Sequence, residues 1–169
     1  MHLAGEQWAA YFRDFTVSAF RLETLSAYNV DDEFDEYQRF LAGERPPADL
    51  YYGWLDTVAG HAAAGRSMQR VRVVSRPLSD YVRYEFEWGY EFNVKAGEDI
   101  RILDVTNRDV ELPDLDFWMF DSTAVVHMNY DETGAVSSRE LIENPDLDKY
   151  LAWRDLALSE SVPFGEYRP

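Results

Sequence analysis

The sequence predicts an α/β protein: a mixed sheet with flanking helices, following a mainly helical N-terminal part. Three observations support this. Short β-branched or aromatic runs, clearest in Arg70-Val71-Arg72-Val73-Val74-Ser75, alternate with longer stretches whose apolar residues recur at helical spacing. The 169 residues are 46% apolar and 15% aromatic, which is enough to form a core and argues against disorder. There is no cysteine, so the core is expected to stand without disulfides.

Taken in order, Trp8, Tyr11, Phe12 and Phe15 recur at i, i+3, i+4 and i+7, predicting a short helix over 6–15 with an aromatic face. Phe20-Arg21-Leu22-Glu23-Thr24 alternates like a half-buried strand, while Thr24 to Tyr28 reads equally well as helix. Asp31 to Leu41 reads as a helix capped by Asp31 or Asp32, with Phe34, Tyr37, Phe40 and Leu41 on one face. Gly43-Glu44-Arg45-Pro46-Pro47 stops it. A further helix is expected from about Ala48 to Ala64, carrying Leu50, Trp54, Leu55 and Val58 and ending at Gly65.

After the strand at 70–75, Ser75-Arg76-Pro77 is expected to open a long helix, with Ser75 or Arg76 at its cap, that closes at Ala96-Gly97. Tyr81, Glu85, Trp88 and Phe92 form one of its stripes; Leu78, Val82 and Phe86 form the next. Glu98 to Leu103, Asp116 to Asp121 and Ala124 to Tyr130 read as strands, the last two joined by a tight turn at Asp121-Ser122-Thr123. Ala135-Val136-Ser137 begins another short strand, and Asn144-Pro145 introduces a final helix from about Asp146 to Ser159. The one boundary signal lies near Gly65, between a mainly helical part (1–65) and a β-α-β-β-β-α core (66–169). The two are expected to share one core, making 1–169 a single domain.

Charge narrows the function. Sixteen basic and 32 acidic residues give a formal charge of −16, which repels nucleic acid and anionic membranes, so neither is expected as a direct partner. No apolar run reaches the roughly 18 residues of a membrane span. The start of the sequence lacks the basic and apolar regions of a secretory signal, which predicts a cytoplasmic location. Asp31-Asp32-Glu33-Phe34-Asp35-Glu36 concentrates acid, and Asp31, Asp32, Asp35 and Glu36 are the candidates for contact with a basic partner. Arg66, Arg70, Arg72, Arg76 and Arg83 stand together against one acid, Asp80. Those arginines either pair with acidic surroundings or line a pocket for a small anionic ligand, formed by Arg72, Ser75, Arg76, Tyr81, Tyr84 and His127.

No Gly-rich phosphate loop, HExxH or GxSxG occurs, so no catalytic set, cofactor or metal is expected. His127, between apolar neighbours on a strand, reads as a packed or surface side chain. Asp114-Leu115-Asp116-Phe117-Trp118-Met119-Phe120-Asp121 has an informative spacing. Together with the β-α-β-β-β-α order and the ending Leu151-Ala152-Trp153-Arg154-Asp155-Leu156-Ala157, it resembles a phospholipase D-like half domain, whose strand carries His-x-Lys-x-x-x-x-Asp. Asp114 and Asp116 stand where that motif has its histidine and lysine, and Asp121 matches its acid. The resemblance therefore implies a degenerate site without phosphodiesterase activity, because nucleophile and phosphoryl-stabilising cation are both replaced. A metal site is not expected from these acids, since Asp114 and Asp116 share a strand face opposite to that of Asp121.

A broader resemblance rests on an ordered set. It runs from Phe20-Arg21-Leu22-Glu23-Thr24 through Phe40-Leu41-Ala42-Gly43-Glu44, Arg70 to Ser75 with Pro77-Leu78-Ser79-Asp80-Tyr81, and Ala96-Gly97-Glu98-Asp99-Ile100-Arg101 to Asp116 to Asp121. This set is similar to an uncharacterised actinobacterial family, of Streptomyces type, often encoded beside helix-turn-helix regulators. That context implies a regulatory or interaction role. The leading reading is a non-enzymatic regulatory or protein-interaction module, an acidic partner of a basic regulator, in which aromatics such as Trp54 or Trp88 would anchor the patch if exposed. The alternative is a small-molecule enzyme or ligand sensor of specialised metabolism using the Arg-lined pocket.

Overall fold

The strands are β1 (Ser18–Glu23), β2 (Ser67–Val74), β3 (Asp99–Asp104), β4 (Asp116–Phe120), β5 (Ala124–Tyr130), β6 (Val136–Leu141) and β7 (Val162–Pro163). In the computed structural model, which describes residues 1–169, they form one mixed sheet in the order β6-β5-β4-β1-β2-β3-β7. β1, β2 and β3 are parallel neighbours; β4, β5, β6 and β7 each pair antiparallel. The five strands expected after residue 65 are present, and β7 is an addition to them. The expectation of a mainly helical 1–65 misses where β1 sits: between β4 and β2, at the middle of the sheet. Its alternation is correct, but its polar residues face a second buried layer rather than water.

The helices are α1 (Gly5–Asp14), α2 (Phe34–Leu41), α3 (Gly53–Ala63), α4 (Asp80–Glu85), α5 (Glu91–Ala96) and α6 (Leu147–Glu160); a 3₁₀ turn at Asp31–Glu33 leads into α2. On one face of the sheet, Ala19, Met68, Trp118, Phe120 and Val126 pack under Trp8, Phe12, Trp54 and Val58 of α1 and α3. Beside them, Val74, Ile100 and Ile102 receive Val82 and Tyr90. On the other face, Phe20, Leu22, Val71, Leu103, Phe117 and Val125 are covered by Tyr150 and Ala157 of α6. The Cα register places Arg21, Arg70 and Trp118 side by side on the first face, which sets up the site described below.

Three helix boundaries differ from expectation. α3 starts at Gly53 rather than Ala48, because Tyr52 is extended and its hydroxyl donates to the Gly89 carbonyl at 3.0 Å. α4 starts at Asp80: Arg76, preceding a proline, is disfavoured in helical conformation, and Ser79 caps instead, its Oγ accepting from Val82 N at 3.1 Å. The long helix is also interrupted. Phe86–Tyr90 forms a π-helical turn, so the stripe through Glu85 and Trp88 continues to Asn93, and Phe92 is displaced from it. α6 follows expectation, with Asp146 accepting from Lys149 N at 3.3 Å.

Residues 1–3 run along β6, where Leu3 N donates to Arg139 O and Leu141 N to Met1 O, each at 2.8 Å. They cover backbone groups that an open edge would offer to another chain. No helix is long and apolar enough to cross a membrane.

Candidate functional site

Charged residues at inward strand positions are costly unless paired, and here they pair with one another. Arg72 on β2 is fully buried; its Nη2 and Nε donate to Glu85 Oε1 at 2.8 and 3.1 Å, its Nη1 donates to Leu25 O, and its guanidinium lies 5.0 Å from the Tyr28 ring. Arg70 pairs with Glu98 at 2.9 Å and with Glu23. Arg21 lies 3.1 Å from Glu23 and 3.8 Å from Asp116. Asp116 also accepts from Thr24 N and Thr24 Oγ1, each at 2.7 Å, and from Tyr28 Oη at 2.5 Å. Three guanidiniums thus share four carboxylates, of which Glu23, Glu98 and Asp116 are buried and Glu85 nearly so. Burial alone would raise the Glu23 carboxyl, but Arg70, Arg21 and Arg72 outweigh it and hold Glu23 below its ordinary range. Glu85 moves the other way: burial, helped by the Glu23 charge, raises it despite Arg72.

Above this cluster lies a cavity of about 580 Å³. Its floor includes Arg21, Trp118 and Arg139, on β1, β4 and β6. Tyr52 and Trp54 of the α3 start, with Tyr84 and Trp88 opposite, supply aromatic walls. Asp32, Glu33 and Glu36 reach it from the acidic segment. Tyr81 Oη donates to Glu33 at 2.6 Å and Tyr84 Oη to Glu36 at 3.2 Å. Burial pushes both hydroxyls well above the ordinary phenol range, so they remain donors. Four buried side-chain donors lack an aligned protein acceptor: Arg21 Nε, Trp88 Nε1, Trp118 Nε1 and Arg139 Nε. All four belong to residues that line this cavity. Arg21 Nε is near Glu23 but not aimed at it, so the ion pair leaves its N–H free.

The six residues expected to form an anion pocket do not come together. Tyr81 and Tyr84 line the cavity, whereas Arg72 lies beneath it, neutralised by Glu85. Ser75 is exposed in the loop before α4. Arg76 is half-exposed and donates to Asp104 at 2.8 Å; Tyr167 Oη donates to the same carboxylate at 2.7 Å. Burial opposes these contacts, but with the Thr106 bonds they hold Asp104 down at about 2. His127 faces the opposite layer, its Nε2 2.6 Å from Tyr150 Oη, because Val126 and Met128 take the inward positions of β5. Burial lowers its pKa. Arg21, Glu23, Glu85 and Arg139 were not singled out as site residues. The legible signal was Arg21-x-Glu23 and Arg70-x-Arg72, charges repeating at a strand's period of two.

The three aspartates expected to mark a degenerate site, Asp114, Asp116 and Asp121, also separate. Asp114 is exposed, Asp116 is buried in the charge cluster, and Asp121 lies at the far end of β4. Asp121 ties the hairpin turn to the entry of β1, accepting from Thr16 N at 2.9 Å, Val17 N at 2.7 Å and Ser18 N at 3.0 Å. Its pKa is lowered, since these donors outweigh partial burial. A depressed carboxylate adds stability above its unfolded value of about 3.9, and that stability is lost as pH falls through the folded value. Asp121→Ala is therefore expected to cost about 1–2 kcal/mol at neutral pH and less below about pH 4, read from urea midpoints. An unchanged midpoint at neutral pH would refute this role.

Comparison with known proteins places the chain. No curated protein matches it. Among solved structures, it is similar to Nuc, a phospholipase D family member from Salmonella typhimurium, with a TM-score of 0.51 and 9% identity over 98% of this chain and 93% of that one. At that identity the likeness concerns the fold, and it agrees with the mixed sheet and flanking helices described above. The model of a domain of unknown function, DUF6879, matches residues 6–169, and the chain belongs to that family.

Proposed function

We propose that the protein is a non-enzymatic regulatory module that meets a basic partner, such as a helix-turn-helix regulator, through the acidic entry to α2. The observation that carries this reading is the surface there. Asp31, Asp32 and Asp35 are exposed and form no ion pair, while Phe34 between them is 61% exposed and Leu41 on the same helix 48%. Charges steer the encounter and an apolar anchor holds it. Trp54 and Trp88, expected as anchors only if exposed, line the cavity instead, Trp88 being 1% exposed; Phe34 is the exposed aromatic that takes that part. The degenerate motif supports a role without phosphodiester chemistry, since Asp116 and Asp121 serve the fold.

Surface plasmon resonance against a basic helix-turn-helix regulator tests this. Raising salt from about 0.05 to 0.3 M is expected to slow association several-fold, as the Debye length shrinks through about 8 Å. Replacing Asp31, Asp32 and Asp35 with Asn and Glu36 with Gln is expected to lower the on-rate about tenfold with little change in off-rate. Gln at position 36 can still accept from Tyr84. A salt-insensitive interaction unaffected by these changes would overturn the reading.

A further inference from the structure

The cavity's chemistry is asymmetric. Among the side chains that line it, three arginines face five carboxylates, and Arg21 and Arg70 are already paired within the buried cluster. An anionic ligand would therefore meet a net negative enclosure. On the side of α2 and α4, Glu33 and Glu36 stand beside Tyr28, Tyr81, Tyr84 and Trp88, which form one packed aromatic cluster. Aromatic faces beside carboxylates suit an organic cation, which gains from ring quadrupoles as well as from charge. On the strand floor the arrangement is reversed. Trp118, 3% exposed, presents an indole N–H without a protein acceptor, and Arg21 and Arg139 each leave an Nε–H unpaired. A buried donor without an acceptor is costly, and an oxygen delivered there would satisfy it. The volume lies within the range of small-molecule sites, roughly 300–1,000 Å³.

We propose that the cavity binds a small organic amine: its ammonium against Glu33 and Glu36, its body between the aromatic walls, and an acceptor oxygen at its far end toward Trp118, Arg21 and Arg139. This site shares Asp32 and Glu36 with the acidic segment, but it rests on the cavity and not on the partner reading; Glu33 and Trp118, the positions varied below, belong to the cavity alone.

Three compounds of similar shape test it by calorimetry on the full chain. Tyramine carries both ammonium and oxygen, 4-methylphenethylamine lacks the oxygen, and 4-hydroxyphenylacetate reverses the charge. Tyramine is expected to bind with a Kd of about 0.1–1 mM, 4-methylphenethylamine several-fold more weakly, and 4-hydroxyphenylacetate at least about tenfold more weakly. Glu33→Gln, which keeps an acceptor for Tyr81, is expected to weaken tyramine about tenfold. Trp118→Phe, which keeps the ring and deletes the N–H, is expected to weaken tyramine but not 4-methylphenethylamine. Equal or tighter binding of 4-hydroxyphenylacetate, or no binding of tyramine at about 10 mM, would overturn the proposal on the unaltered protein, whatever the variants do.

Discussion

Arg72→Met is expected to lower stability by about 3–5 kcal/mol, a large share of the total for a small domain. Methionine fills much of the volume, so the loss is chiefly electrostatic. Glu85 would keep its burial and lose both guanidinium bonds, and the Leu25 carbonyl would lose its donor. Removing one member of a buried pair leaves an uncompensated charge, which costs far more than the pair contributes net. Arg76→Ala is the control. That guanidinium is half-exposed, and its pairing with Asp104 falls in the range of about 0–1 kcal/mol. Urea unfolding of the two variants should separate them clearly; similar midpoints would mean that the buried cluster does not hold the helical layer to the sheet.

The second large effect distinguishes two glutamates in the same cluster. Glu23 touches three arginines, and Glu23→Gln is expected to cost about 3 kcal/mol at neutral pH. Glu85→Gln removes one of four carboxylates shared by three guanidiniums, while its Oε1 still accepts from Arg72, so a cost of about 1 kcal/mol or less is expected. The pH dependences have opposite signs. Glu23 is depressed in the folded state, so its contribution is complete above the ordinary Glu value of about 4.3 and is lost as pH falls below it. Glu85 is raised, so the folded state binds its proton more tightly, and stability falls as pH rises from about 4.3 through the raised value. Glu23→Gln should flatten the acid limb of the stability curve and Glu85→Gln the limb above it. Equal costs, or the same limb flattened by both, would show that the cluster shares its charge differently.

The strands after residue 65 were legible because Val, Ile, Phe and Trp crowd into short bounded runs. β1 was legible as a strand but not as the centre of the sheet, since Arg21 and Glu23 look solvent-facing until Arg70, Arg72 and Asp116 are placed beside them. The site was half legible. Tyr81 and Tyr84 were singled out and line the cavity, but Arg72 and Arg76, four residues apart in the chain, serve different acids, Glu85 at the cavity wall and Asp104 at the end of β3. Local spacing cannot distinguish a free guanidinium from one neutralised by a carboxylate on another element. His127 illustrates the same limit: its apolar neighbours indicated packing, but only pairing with β4 decides which layer it enters.

The π turn between α4 and α5 holds one residue more than an α turn would. Upstream of it, Val82 and Phe86 seat the helix on the sheet; downstream, Asn93 accepts from Tyr52 and donates to Glu98 at 2.8 Å. At about 100° per residue an unbroken α-helix would carry the stripe of Tyr81, Glu85 and Trp88 on to Phe92, and the extra residue of the π turn brings Asn93 into that place instead. Glu87, in the turn, is exposed and its side chain touches no cavity wall, so almost any residue could stand there. Losing the position altogether would restore the regular hydrogen-bond ladder and, since a π turn holds one residue more than an α turn, would leave Asn93 directed toward Tyr52 and Glu98. Neither the side chain at 87 nor its peptide unit is needed to aim Asn93: the widened turn absorbs one residue and leaves the two helical segments in phase.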